Sequence, residues 1–232
     1  MKILYLILTI LVSSRCFSDV YTPSNLKSFS DDQITINNTW KLVKAFNIEI
    51  GDAGNFQSSP MFFDDSLIIT YPGVGIGVNN PSTGRQKCIF RHAVGQTMRG
   101  ITVQRNNVYF SSTDGNIYSF SVTDCSLNAE FGTNGIIKTD QSSVLPPIID
   151  QENNIVIHAG LSGVVSVFDL DSGRLLHYVD LKGSKVRPRI WSGFSYSPEL
   201  GMAYVVTSNS GYLENFDIKK TDVDFSGALV AI

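Results

Sequence analysis

An all-β architecture of short, repeated antiparallel strands is what this 232-residue sequence predicts. Three observations carry the prediction. Hydrophobic residues make up 43% of the chain and aromatics 11%, with 19 glycines, a balance that fits a β-rich globular protein and argues against disorder. Short β-branched and aromatic runs are broken repeatedly by Asn-Asn, Asp-Gly and Ser-Gly turn chemistry. The pattern also recurs: NNVYFSSTDGNIYSFSVTDCS from Asn106 resembles NNIVIHAGLSGVVSVFDLDSG from Asn153, with Gly115 aligned on Gly163 and Phe120 on Phe168. Repeats of about 40–50 residues, each holding about four strands, are the pattern of β-propeller blades. A β-sandwich would also give short strands, but not one order of turns and strands at a fixed period.

Each element follows in order. Residues 1–18 have Lys2, an apolar run from Ile3 to Val12, and Cys16-Phe17-Ser18 before Asp19, the layout of a secretory signal peptide. The apolar run is about half the roughly twenty residues of a spanning helix. The expectation is export to a periplasm or beyond, with no transmembrane span once the signal is cleaved. Residues 19–232 then form the partial propeller domain. Cleavage removes two of the 18 basic residues and none of the 21 acidic ones, leaving a net charge of −5. With no basic patch, nucleic acid is not an expected partner. Cys88 and Cys125 remain, either as one disulfide or as two separate buried thiols; sequence leaves both open.

The first blade is read from Ser59-Pro60-Met61-Phe62-Phe63, Ser66 to Thr70, and Ile76-Gly77-Val78 running into the turn Asn80 to Gly84. The second and third start at Asn106 and Asn153. The fourth begins at Ser192, with strands Gly193 to Tyr196 and Met202 to Thr207 around the turn Ser197 to Gly201. Phe225 to Ile232 reads as an inner or middle strand entering its closing turn, so the last blade is expected to be incomplete. An open fan would leave bare strand edges and apolar faces, so a longer propeller is expected.

The nineteen residues WSGFSYSPELGMAYVVTSN, from Trp191 to Asn209, put an indole just ahead of one hairpin and an amide just past its end. Other turn residues are chemically plainer. Asp64, Asp65, Asp150, Asp169 and Asp171 fall in turns, where acids cap or solvate. His92, His158 and His177 have no metal-ligand spacing and are expected to be either satisfied or exposed.

The chain resembles the amino-terminal half of the pyrroloquinoline quinone (PQQ)-dependent alcohol and sugar dehydrogenases, eight-bladed propellers of the periplasm. The residues that carry the resemblance are Ser28-Phe29-Ser30-Asp31-Asp32-Gln33-Ile34 with Asn38 and Leu42 to Phe46, then Gln57-Ser58-Ser59-Pro60 and Arg99-Gly100-Ile101. Phe131-Gly132-Thr133-Asn134-Gly135, the Trp191 to Asn209 stretch and Phe225 to Ile232 follow in the family's order. The resemblance implies about four blades of a probable eight, PQQ stacked on Trp191, a PQQ carboxylate paired with Arg99, and calcium bound by the amide of Asn209. In such an enzyme a small alcohol or sugar passes hydride to the quinone and electrons go on to an acceptor.

The chain also departs from that pattern. Ala159-Gly160-Leu161-Ser162-Gly163 holds no calcium-binding glutamate, Ala93-Val94 stands where some members have a cysteine pair, and Thr207-Ser208-Asn209 replaces Thr-Gly-Asn. Cys88, Ala129 and His177 stand where the family's blade-docking tryptophans stand, which predicts weakened packing between blades. The family's catalytic aspartate comes from a later blade, so no catalytic residue is expected in this chain. Two readings follow: part of a quinoprotein dehydrogenase, inactive on its own, or a cofactor-free propeller scaffold of the cell envelope.

Overall fold

The computed structural model describes residues 44, 46–48, 58–92, 99–181, 188–208 and 228–232. The signal peptide, most of the opening segment, Gln57, Ala93-Val94, Asn209 and Phe225 to Gly227 lie outside them. Every regular element among the described residues is a strand. Blade 1 consists of β1 (Met61–Phe63), β2 (Ser66–Tyr71), β3 (Gly75–Asn79) and β4 (Gln86–Arg91). Blade 2 is β5 (Thr102–Gln104), β6 (Asn107–Ser111), β7 (Asn116–Ser121) and β8 (Ile136–Lys138). Blade 3 is β9 (Ile148–Asp150), β10 (Ile155–Ala159), β11 (Val164–Asp169) and β12 (Leu175–Asp180). Blade 4 is β13 (Phe194–Ser197), β14 (Met202–Val206) and β15 (Leu229–Ala231). Each sheet pairs consecutive strands antiparallel, the propeller-blade topology that the repeats predict.

Register makes the repeat exact where sequence left it loose. Val108 pairs with Phe120 and Val156 with Phe168, so the blade 2 and blade 3 positions are offset uniformly. Gly115 and Gly163 then coincide in the tight turns, at φ +84° and +81°. The Asn-Asn pairs do not: Asn106 matches Asn154 rather than Asn153, both at positive φ. The cause is the turn between first and second strands, which links Gln104 to Asn107 in blade 2 but Asp150 to Ile155 in blade 3.

Strand alternation gives every blade a backward face toward the preceding blade and a forward face toward the next. Three cores result. Ile68, Ile76 and Val78 of blade 1 meet Val103, Val108, Phe110 and Phe120 of blade 2. Tyr109, Ile117 and Ile137 of blade 2 meet Ile149, Val156 and Phe168 of blade 3. Ile148, Ile157 and Val165 of blade 3 meet Phe194, Tyr196, Ala203 and Val205 of blade 4. Burial in these interfaces, at ~25 cal/mol per Å² of apolar surface, is what holds one sheet to the next.

With Cys88, Ala129 and His177 in place of tryptophans, the blades are docked by other contacts. Cys88 on β4 forms a disulfide with Cys125 in the turn after β7, with a Cα–Cα distance of 5.9 Å, so blades 1 and 2 are covalently joined. Phe131 is fully buried between blades 2 and 3. The next residue, Gly132, donates its N–H to the carbonyl of Leu170 at 3.3 Å, fastening the FGTNG loop to blade 3. No helix among the described residues is long and apolar enough to cross a membrane.

Candidate functional site

One cavity draws on all four blades. Its lining comes from the segments that lead into the first strand of each sheet: Ser59 and Met61 at β1, Arg99 to Ile101 before β5, Leu145 and Pro146 before β9, and Trp191 to Gly193 before β13. First strands converge where blades fan around a common axis, so this cavity marks the axis. Its volume is about 180 Å³, below the ~300–1,000 Å³ usual for small-molecule sites.

Arg99 and Trp191, 92 positions apart in sequence, meet in it. The guanidinium carbon of Arg99 lies 5.6 Å from the centre of the Trp191 ring, a cation–π geometry. Backbone pairing fixes both residues. The N–H of Arg99 donates to the Val144 carbonyl at 2.7 Å, tying the lead-in of blade 2 to that of blade 3. The Ser208 N–H donates to the Arg189 carbonyl at 2.8 Å, which clamps the end of β14 beside the segment entering Trp191. Trp191 is half-buried and packs in part against the blade 3–blade 4 core, so it serves the interface and the cavity together. Gly100 permits close passage here, since a Cβ on it would come within 3.3 Å of Pro146.

Asn209 lies outside the described residues, one step beyond the clamped Ser208. The described lining carries no carboxylate, and among the described residues no group of three or more acidic, histidine or cysteine side chains is arranged to hold a metal. Asp169 caps its own turn, accepting from the Ser172 N–H and hydroxyl, whereas Asp65 pairs across the sheet with Lys87 of β4 at 3.0 Å. Asp150 also caps, accepting from the N–H groups of Glu152 and Asn153, but it is buried instead of lying at a solvated strand end.

The histidines divide three ways. His177 is exposed. His92 Nε2 lies 3.1 Å from Asp114 Oδ2, which also accepts from the Tyr118 hydroxyl at 2.6 Å. Burial and that carboxylate push the Tyr118 phenol up to about 12. His158 overturns the expectation of a satisfied or exposed ring: it is fully buried, and neither ring nitrogen has a hydrogen-bond partner. Burial drives its pKa down to about 4, so it is neutral at pH 7. By register it holds the place of Phe110, which packs in the blade 1–blade 2 core.

Comparison with known proteins agrees on the fold. No protein-family model matches the chain, and no curated protein matches it in sequence. Among solved structures, a europium-containing methanol dehydrogenase superposes with a TM-score of 0.60 at 13% identity, over 76% of this chain and 39% of that one. The quinohemoprotein alcohol dehydrogenase ADHIIG of Pseudomonas putida HK5 gives 0.53 at 15% identity, over 71% and 30%. BamB of Moraxella catarrhalis gives 0.51 at 12% identity, over 70% and 46%. The chain thus spans less than half of each. The class these data define is a β-propeller-type array of four-stranded blades.

Proposed function

We propose that the axial cavity is the floor of a PQQ site, and that the chain is the amino-terminal part of a quinoprotein dehydrogenase acting on a small alcohol or sugar. The observation that carries this reading is the convergence of Arg99 and Trp191, the two residues that the family resemblance assigns to the cofactor. PQQ is a flat fused-ring quinone bearing three carboxylates. An indole offers it a stacking surface, worth ~1 kcal/mol beyond burial, and a guanidinium offers a bidentate partner for a carboxylate. When bound, the quinone supplies the hydride acceptor. Ser59 and Ser192 add hydroxyls at the rim.

Calcium is the second group that the resemblance assigns to the site. It takes six to eight oxygen ligands, and only Asn209 is assigned to it. The periplasm or exterior is the compartment this function requires, and a stable disulfide suits that setting.

The test is a fluorescence titration of the purified chain with PQQ. Saturable quenching is expected, weakened at least ~10-fold by Trp191→Ala and by Arg99→Gln, about 1.4 kcal/mol each. Absence of saturable quenching would end the proposal. Without an acid in the cavity the chain alone should not turn over, and PQQ-dependent dye reduction by it would contradict that.

A scaffold role is the second reading. It is favoured by β12, the outermost strand of blade 3 among the described residues, on which Leu175, Leu176 and Tyr178 are exposed. Such an edge suits strand addition by a partner segment.

A further inference from the structure

Arg99 and Trp191 reach the axial cavity from the lead-ins of blades 2 and 4, and the lead-in of blade 3, Ser143 to Pro147, links them. Two rungs hold the blade 2 lead-in to it. The Arg99 N–H donates to the Val144 carbonyl at 2.7 Å, and the Thr102 hydroxyl donates to the Pro147 carbonyl at 2.5 Å. Both rungs run at one offset of 45 positions, and Gly100 lies between them against the Pro146 ring. The chemistry of the second rung is set by the prolines. Pro146 and Pro147 carry no N–H, so here blade 3 offers only carbonyls and blade 2 must bring the donor. Thr102 supplies it from a buried hydroxyl.

The blade 3 lead-in is anchored in turn by one hydroxyl. Ser143, buried at 1% exposure, donates to the Ala159 carbonyl at 2.7 Å and accepts the Leu145 N–H at 3.2 Å. Its own N–H donates to the Ser112 carbonyl at 3.3 Å, which ties the same point to the β6–β7 turn. Leu145 joins the two sides of the site: it lines the cavity with Arg99 and Trp191, and it belongs to the blade 3–blade 4 core against which Trp191 packs.

We propose that Thr102 and Ser143 are positioning residues of the axial site, holding the Arg99 guanidinium at its distance from the Trp191 indole through Val144 and Leu145. Neither belongs to the described lining of the cavity. The consequence for a cofactor rests on the PQQ reading above: a flat anion held by a ring and a guanidinium together loses affinity when one shifts against the other. The contact between Arg99 and Trp191 does not rest on that reading.

Nuclear magnetic resonance reads that contact without a ligand. The indole ring current should displace the Arg99 Nε–H proton upfield, a signal assigned by its loss in Arg99→Lys and calibrated by its place in Trp191→Leu. Thr102→Val keeps the shape and removes the donor; it should erase most of the displacement, and Thr102→Ser should keep it. Ser143→Ala should act in the same direction as Thr102→Val, and decides the case should circular dichroism show that Thr102→Val loses its fold. Gly201→Ala is the control for destabilisation alone, at φ +61° with open space around it in the turn at the far end of the β13–β14 hairpin, and should leave the signal in place. In the PQQ titration Thr102→Val should weaken binding ~5-fold and Thr102→Ser less than about twofold. The proposal is overturned by a wild-type signal no different from that of Trp191→Leu, or by one that neither Thr102→Val nor Ser143→Ala disturbs. It is overturned equally if Thr102→Ser loses the displacement, if Gly201→Ala loses it too, or if a chain that binds PQQ keeps its full affinity in Thr102→Val. A wild-type chain with the displaced signal and no PQQ binding ends the cofactor reading instead, and the variants then decide the positioning role on the signal alone.

Discussion

Acidification from pH 7 to pH 4.5 should cost the fold roughly 2–3 kcal/mol through His158 alone. The ring is fully buried between blades 2 and 3, no protein group hydrogen-bonds either nitrogen, and its pKa falls from 6.5 to about 4. In the unfolded chain it titrates near 6.5. Above that pH both states are neutral and the group contributes nothing to pH dependence. As pH drops below 6.5 the unfolded chain takes up a proton that the folded chain refuses until about pH 4, so stability falls across that window and then levels. The depressed carboxylates Asp65, Asp114, Asp124 and Asp169 act later, since each starts from an ordinary pKa of 3.8 and loses its contribution below that. His158→Leu roughly conserves volume and removes the titration. Urea denaturation of both chains at pH 7 and pH 4.5 isolates the effect, because every other titrating group is common to the two. The wild type should lose roughly 2–3 kcal/mol more than the variant. Parallel profiles would refute the argument, and would mean that the ring is hydrated or paired in the folded state.

Three further outcomes are expected. Reduction of Cys88–Cys125, which spans 37 residues, should lower stability by ~4 kcal/mol on loop entropy, read as a shift in the denaturation midpoint with dithiothreitol. Because Cys125 sits at φ +60°, the pair Cys88→Ser with Cys125→Gly should be more stable than Cys88→Ser with Cys125→Ser by ~1 kcal/mol in the same assay. Gly115→Ala should cost ~1–2 kcal/mol for its left-handed backbone. Gly163→Ala should cost more, since its Cβ would come within 2.4 Å of the Pro188 carbonyl oxygen; equal thermal shifts for the two alanines would contradict this.

The strands were legible because alternation and turn chemistry are local. Val156 to Phe168 reads as a hairpin from Gly163 and its flanking β-branched residues, whatever lies around it. Turn length was less legible: two Asn-Asn pairs look alike in sequence, yet one belongs to a two-residue turn and the other to a longer one, displacing the match by a residue. Pairings across blades depend on how sheets stack, so neither the disulfide nor the meeting of Arg99 with Trp191 follows from spacing. Family resemblance grouped the second pair and could not group the first. His158 was opaque for a different reason. Its neighbours Ile157 and Ala159 mark an ordinary strand, and only the register shows that it stands where blade 2 has Phe110.

The docking of blades shows how one geometric requirement is met by unrelated chemistry. The turns after the third strands of blades 1, 2 and 3 are equivalent: Gly84, Cys125 and Gly173 each donate an N–H to the carbonyl four residues earlier, at 2.8, 2.9 and 2.9 Å, with φ of +72°, +60° and +69°. At Gly84 the Phe46 ring from the preceding segment covers the turn, near enough that a Cβ would approach it to 2.7 Å. At Cys125 the cover is the sulfur of Cys88, and the residue accepts a left-handed backbone that side chains disfavour in order to carry the bond. At Gly173 the cover is blade 2 itself, with Gly132 3.2 Å from the Cβ position and Ile137 at 3.1 Å. A tryptophan at each docking position would meet the same need by size alone. Here an aromatic ring, a covalent bond and close backbone approach cover the three turns, and the three continuous cores show that the sheets dock without a tryptophan at Cys88, Ala129 or His177.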